Sequence, residues 1–267
     1  HSNLAINSKK ENDRIMENKI ILKSSNLNIG YSHKKEQTLI SSHINLSLEK
    51  GKLISLIGAN GVGKSTLLRT ITGIQKPLAG TVFLNEKNIH ELDVLSLAQN
   101  LSIVLTEKLP PSNLTVFELI ALGRQPYTNW IGKLTELDID KVDEAMELTQ
   151  ISHLANKKHY EISDGQLQKV LVARALAQDT PLIILDEPTT HLDLLHKVAL
   201  FKLLKKLTQE TQKCILFSTH DIDMAIQLSD DLKRYFKTNL VILFLKEVLI
   251  LYSRMSISFL IAKKGNL

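Results

Sequence analysis

The hydrophobic pattern divides the chain into runs that stop abruptly at small or charged residues. "LISLIGANGVGKSTLLRTITG" (Leu53 to Gly73) begins apolar, passes through a glycine-rich turn and continues in a helical pattern. Leu182 to Leu185 in "TPLIILDEPTTHLD" are continuously apolar, as a parallel strand covered on both faces requires. "KCILFSTHDIDMAIQLSDD" (Lys213 to Asp231) repeats the order of apolar strand, polar edge and helix. Two further helices are marked by their caps. Thr115 with Glu118 opens an amphipathic helix, and Ser163 with Gln166 opens the run "DGQLQKVLVARALAQ". Taken alone, such a capping box says only that a helix starts there.

The turn after Leu53–Ile57 carries chemistry. Gly58, Gly61, Gly63, Lys64 and Ser65 satisfy the phosphate-loop spacing G-x-x-x-x-G-K-[ST], with Ala59, Asn60 and Val62 between the fixed positions and Thr66 just after. Glycines let backbone N–H groups turn inward around a β-phosphate, and the helix N-terminus favours negative charge there. Lys64 supplies a point charge to the β- and γ-phosphates, and the Ser65 hydroxyl suits Mg²⁺. The sequence therefore predicts nucleotide binding.

The other strand ends supply the rest of a site. Asp186 and Glu187 follow the apolar run directly, at the edge where open α/β sheets place their ligands. Asp186 is expected to hold Mg²⁺ through water, and Glu187 to polarise an attacking water as general base. His220 stands at the next strand end, beside Ser218, Thr219 and Asp221, as a candidate γ-phosphate sensor. Its plainer reading is a structural hydrogen-bonder.

Composition changes the picture only slightly. With 267 residues, 43% of them hydrophobic, the chain can bury one large core, with room for an insertion. The net charge of +5 is misleading, because from Lys233 onward there are seven Lys/Arg against one Glu. The preceding body is close to neutral, so the charge gives no reason to expect a nucleic-acid partner. The single Cys214 excludes a disulfide framework and fits a reducing cytosol. Residues 1–15 are polar and mixed in charge, and are read as a disordered or non-native extension, with Met16 a more natural beginning.

Together these pieces resemble the ATP-binding cassette (ABC) ATPases over roughly residues 20–231. That family carries a signature of the form L-S-G-G-Q before a helix. Here Ile162-Ser163-Asp164-Gly165-Gln166 departs from it by Ile for Leu and Asp for the first Gly. The resemblance implies that two chains sandwich two MgATP, each chain offering Ser163, Asp164, Gly165 and Gln166 to the γ-phosphate held by the other. A carboxylate near phosphate repels it, so Asp164 is expected to point away or to pair with a cation. Tyr31 matches the family's adenine-stacking aromatic, or is an ordinary strand-end tyrosine. Asp193 matches the loop that crosses the dimer interface. Thr106 stands where the family has a glutamine that senses the membrane partner. The implied fold is a phosphate-loop α/β core with an N-terminal antiparallel β subdomain and an inserted helical subdomain at about residues 108–178, within a domain spanning residues 16–231.

More narrowly, "ALGRQPYTNW" (Ala121 to Trp130) is similar to import ATPases for iron–siderophore, haem and cobalamin complexes. That implies two integral-membrane permease subunits docking near residues 106–130, a substrate-binding protein outside, and a peripheral place on the cytoplasmic face of the cell's inner membrane. A ferric siderophore is the favoured cargo. The plainer reading of the same residues is packing within the helical subdomain. Two rival functions stay open: a soluble cassette ATPase without a permease, and a degenerate module that binds nucleotide without hydrolysis.

The tail, residues 232–267, departs from the family. The chain has no glycine between Gly165 and Gly265, and "TNLVILFLKEVLILYSRMSISFLIAKK" is apolar and weakly patterned. Its Leu, Ile, Val and Phe residues, at roughly −0.5 kcal/mol each, favour insertion into a membrane, but Lys246, Glu247 and Arg254 at about +2.5 to +3.5 kcal/mol each outweigh them. The expectation is a buried strand pair, or residues from a disrupted reading frame.

Overall fold

The computed structural model of the protein describes residues 19–33, 36–58, 60–105, 109–110, 112–221, 232–235, 240–245 and 248–253. The expectations for residues 1–15, Ala59, Thr106, Lys246, Glu247, Arg254 and the helix following His220 lie outside the described residues.

Two sheets organise the chain. The first is antiparallel and N-terminal. Its long strand β1 (Ile20–His33) pairs with β2 (Glu36–Ile44) on one side and β5 (Ala79–Leu84) on the other. The short strands β3 (Ser47–Glu49) and β6 (Lys87–Asn88) pair with β1 and β5. Irregular register near Ser25 to Asn28 marks a bulge, which bends β1 and lets one strand serve both neighbours.

The second sheet carries the three strands foreseen from their apolar runs, β4 (Leu53–Ile57), β8 (Leu182–Leu185) and β9 (Cys214–Thr219), together with β7 (Leu101–Val104). They run parallel in the order β4-β9-β8-β7. Backbone strands β10 (Leu232–Tyr235), β11 (Leu240–Leu245) and β12 (Val248–Ser253) extend the β4 edge, with β12 parallel to β4 and the others antiparallel.

Alternation along the central strands explains why they read as unbroken apolar runs. Leu53, Ile183, Leu185, Ile215 and Phe217 face one core, whereas Ile54, Leu56, Leu182, Ile184, Cys214 and Leu216 face another. Both faces are covered, so neither parity can be polar. The first core lies beneath helices α3 (Val116–Ala121), α4 (Glu136–Leu148), α5 (Asp164–Ala177) and α6 (Leu194–Thr211). The second joins the antiparallel sheet to helix α1 (Lys64–Ile71), with α2 (Val94–Asn100) and Leu97 at its margin. The insertion between β7 and β8 thus covers one face with helices. Among the described residues no helix is long and apolar enough to cross a membrane.

Both foreseen capping boxes form. Gln166 N–H donates to Ser163 Oγ at 3.3 Å while Ser163 N–H donates to Gln166 Oε1 at 3.0 Å. Thr115 and Glu118 do the same at 3.1 and 2.7 Å. A third box, Thr135 with Asp138, starts α4.

Candidate active site

The glycine turn after β4 leads straight into α1. Gly63 caps that helix at φ 107°, a left-handed conformation that side chains disfavour, and an added Cβ would lie 2.5 Å from Ile40 Cγ2. Lys64 is the first helical residue, yet it is only 4% exposed. Its side chain turns back under the loop, where Nζ donates to the Gly58 carbonyl at 2.8 Å and reaches Glu187 Oε1 at 3.2 Å. Asn60, Gly61 and Ser65 are exposed, and Val62 packs on the second core. Thr66 is buried, with its hydroxyl 2.9 Å from the Tyr31 hydroxyl. Tyr31, 54% exposed, therefore reaches the start of α1 through its hydroxyl while about half of the residue faces solvent.

At the adjoining strand ends Ser218 joins the two acids. Its hydroxyl donates to Asp186 Oδ1 at 2.6 Å and accepts from the Glu187 N–H at 2.7 Å. Asp186 is 7% exposed and its own N–H donates to the Val104 carbonyl on the neighbouring strand. Glu187 adopts φ 46°, a left-handed conformation costing about 1–3 kcal/mol in a non-glycine residue. Its carboxylate faces Lys64, while the Thr190 hydroxyl donates to Oε2 at 3.3 Å and His220 Nδ1 lies 3.8 Å from it. Lys64, Glu187 and His220, which are far apart in sequence, thus meet at the C-terminal edges of β4, β8 and β9. Asp186 joins them through Ser218. A basic side chain, two carboxylates and a histidine around a glycine-lined helix start form a place where phosphate oxygens, a metal and a water can be held together.

The signature residues stand elsewhere in the same chain. Among the described residues no hydrogen bond or ion pair joins Ser163, Asp164, Gly165 or Gln166 to Glu187 or His220. Asp164 is exposed in the first turn of α5, and no partner for its carboxylate occurs among the described residues. Gly165 instead packs against the start of α6, where an added Cβ would lie 2.6 Å from His196 Cδ2. Asp193 caps that helix through the His196 N–H at 2.9 Å and also binds His196 Nδ1 at 2.7 Å.

Residues 121–130 are built into the insertion. Gly123 lies so close to α5 that an added Cβ would come within 2.3 Å of the Arg174 carbonyl oxygen. Arg124 is buried, donating from Nε to Asp138 at 2.9 Å and from Nη1 to the Ala177 carbonyl at 2.7 Å, with its guanidinium 4.0 Å from the centre of the Tyr127 ring. Burial pushes the Asp138 carboxyl upward, but hydrogen bonds from Thr135 and Arg124, with the Arg124 charge, outweigh it and hold the group below its ordinary value. By contrast Trp130 and Ile131, 94% and 67% exposed, project outward.

Ser218, Thr190, Asp138 and His196 were not singled out from the sequence for the partners they have here. Of these only Asp138 had a legible local signal, the Thr135-Glu136-Leu137-Asp138 capping box. The others depend on which strand and helix ends the topology brings together.

Comparison with known proteins agrees with this architecture. The sequence profile of the ABC transporter family matches residues 41–190. An uncharacterised ABC transporter ATP-binding protein of Methanocaldococcus jannaschii is 43% identical over 79% of this chain and 71% of its own length. The iron(3+)-hydroxamate import ATP-binding protein of Bacillus subtilis is 39% identical over 78% and 76% respectively. An ATP-binding cassette solved as a dimer, in a post-hydrolysis state with ADP and Pi, superposes with a TM-score of 0.65 at 30% identity, covering 77% of this chain and 90% of that one. A phosphate loop and acidic strand ends on this mixed fold, and matches of this breadth, lead to one conclusion: the chain belongs to the ABC transporter family and is an ABC-type ATPase.

Proposed function

We propose that this chain is the ATP-hydrolysing subunit of an ABC importer, closing with a second copy around two MgATP to drive uptake of a metal chelate. The observation that carries the chemical half is the meeting of Lys64, Glu187, Ser218 and Asp186 at three strand ends. Lys64 serves the β- and γ-phosphates, together with the backbone of residues 58–66. A γ-phosphate would compete with Glu187 for the Lys64 ammonium, which frees the Glu187 carboxylate to face a water. Glu187 then takes a proton from that water as its oxygen attacks the γ-phosphorus. The bond to the β-phosphate oxygen breaks, giving ADP and inorganic phosphate. His220, 42% exposed and near Glu187 Oε2, is placed to hydrogen-bond the γ-phosphate. Tyr31 offers its ring to adenine.

The residues also suit a metal. The Ser65 hydroxyl and the Asp186 carboxylate are all-oxygen donors of the kind Mg²⁺ takes, and Ser218 holds Asp186 in place. When bound, Mg²⁺ would neutralise phosphate charge. Ser163, Gly165 and Gln166, with Asp193, complete the other chain's site. Asp164 is turned to solvent in this reading, so it need not oppose the phosphates.

For the transport half, the name of the Bacillus subtilis relative supports an iron(3+)–siderophore cargo. The exposed Trp130 and Ile131 support docking of membrane permease subunits, with a substrate-binding protein beyond them. The chain would then sit peripherally on the cytoplasmic face of the inner membrane. We read the ATPase domain as residues 16–231, its helical part at about residues 108–178. The test is phosphate release by the purified chain with MgATP. Glu187→Gln should abolish turnover yet retain ATP, and Lys64→Ala should lose ATP itself. Undiminished hydrolysis by Glu187→Gln would remove Glu187 as the base.

A further inference from the structure

The start of α6 carries a contact that the hydrolytic chemistry does not require. Asp193 Oδ1 accepts from both the backbone N–H and Nδ1 of His196, at 2.9 and 2.7 Å. A carboxylate of lowered pKa only accepts, so the imidazole proton at that contact sits on Nδ1. The backbone hydrogen bond is the main cause of that lowering. The far edge of the same ring lies against Gly165, where an added Cβ would come within 2.6 Å of Cδ2 and 3.3 Å of Nε2. One side chain therefore touches the interface loop at one end and the signature turn of α5 at the other. Gly165 has a reason to be glycine that lies within its own chain, besides any phosphate it approaches in another.

The loop ending at Asp193 begins at Glu187. Thr190 donates its N–H to the Glu187 carbonyl and its hydroxyl to Glu187 Oε2, and Leu192 N–H donates to the Thr189 carbonyl. These two turns fix the run from Glu187 to Leu192, and His196 fixes its far end to Gly165.

We propose that His196 is a positioning residue that fastens the Asp193 loop to the signature turn, so that one chain offers Ser163, Gly165 and Asp193 to its partner as a single preset surface. This rests on the two-chain reading above. The contact is more than half exposed in the single chain, with His196 at 57%, so it adds little to the stability of the fold. Its effect appears on closure, where a preset surface loses less freedom.

The test uses the full-length Glu187→Gln chain, titrated with MgATP while light scattering reads its mass and a fluorescent ATP analogue reads nucleotide affinity. Adding His196→Ala should raise the ATP needed for half-dimerisation by about tenfold, the order of one charge-assisted hydrogen bond, with analogue affinity and thermal midpoint unchanged. His196→Asn, which keeps a donor near the Nδ1 position, should recover part of the loss even if the alanine variant folds poorly. His196→Phe, which keeps the ring and loses the donor, should fall short of the parent. Parent-like dimerisation by the alanine or phenylalanine variant would overturn the proposal. If the Glu187→Gln parent itself never dimerises, the failure belongs to the two-chain reading and not to His196.

Discussion

Replacing Arg124 by alanine separates a packing role from a partner-docking role for the "GRQP" segment. Arg124 and Asp138 have side chains only 4% and 3% exposed, so neither is screened by water. Alanine strips Asp138 Oδ1 of its 2.9 Å partner, leaving the carboxylate with the Thr135 N–H and hydroxyl, both on Oδ2. The Ala177 carbonyl and the Tyr127 ring lose the guanidinium as well. Stranding one member of a buried ion pair costs about 3–5 kcal/mol. At roughly 2–4 °C per kcal/mol for a chain of this size, the thermal midpoint of the isolated subunit should fall by about 10 °C. The double variant Arg124→Met with Asp138→Leu should recover much of that loss, because no charge is then left buried. The effect has a pH signature. Asp138's carboxyl lies below its ordinary 3.8, so its stabilisation is fully present above that value and is lost as pH falls through the lower folded-state value. The Arg124→Ala chain should lose less on acidification than the parent. If Arg124→Ala leaves the isolated subunit within about 0.5 kcal/mol of the parent in urea or thermal unfolding, the residue is not packing the insertion and the reasoning fails.

Other changes probe other joints. Gly123→Ala should destabilise the insertion by about 1–3 kcal/mol, since its Cβ would press on the Arg174 backbone carbonyl, which cannot swing aside; chemical denaturation reads this directly. Ser218→Ala removes a hydroxyl that serves Asp186 and the Glu187 N–H together, so kcat for phosphate release should drop by about tenfold or more while the fold persists. Cys214 is buried, and burial together with the Glu49 charge pushes its thiol up to about 12, so a maleimide at neutral pH should label it only after denaturant is added.

The parts of this protein that the sequence revealed are those where local pattern and tertiary role coincide. The central strands were legible because burial on both faces leaves no polar parity to confuse the pattern, as Leu182–Leu185 shows. The glycine turn into α1 was legible because Gly63 and Lys64 place a left-handed backbone and a charge at fixed spacing. The helix starts at Thr115 and Ser163 were legible because a capping box lies within four residues. What escaped depends on contacts across long sequence separations. Ser218 serves acids about thirty residues upstream, and His196 meets Gly165 only because α5 and α6 begin side by side. The "GRQP" segment stood out by its resemblance to importers, yet its Gly123 and Arg124 face inward, while Leu122, Gln125 and Tyr127 stay partly exposed and Trp130 and Ile131 project furthest into solvent. A sequence shows that such a segment is special, but not which way its side chains point.

The proposed function requires two of these chains to close on ATP at the strand ends that gather Lys64, Asp186 and Glu187. The most direct measurement is the solution mass of the Glu187→Gln chain by light scattering, with and without MgATP. With such closure the mass doubles with MgATP and returns to that of one chain when the nucleotide is washed out. An unchanged single-chain mass at saturating MgATP, with nucleotide shown to be bound, would contradict it.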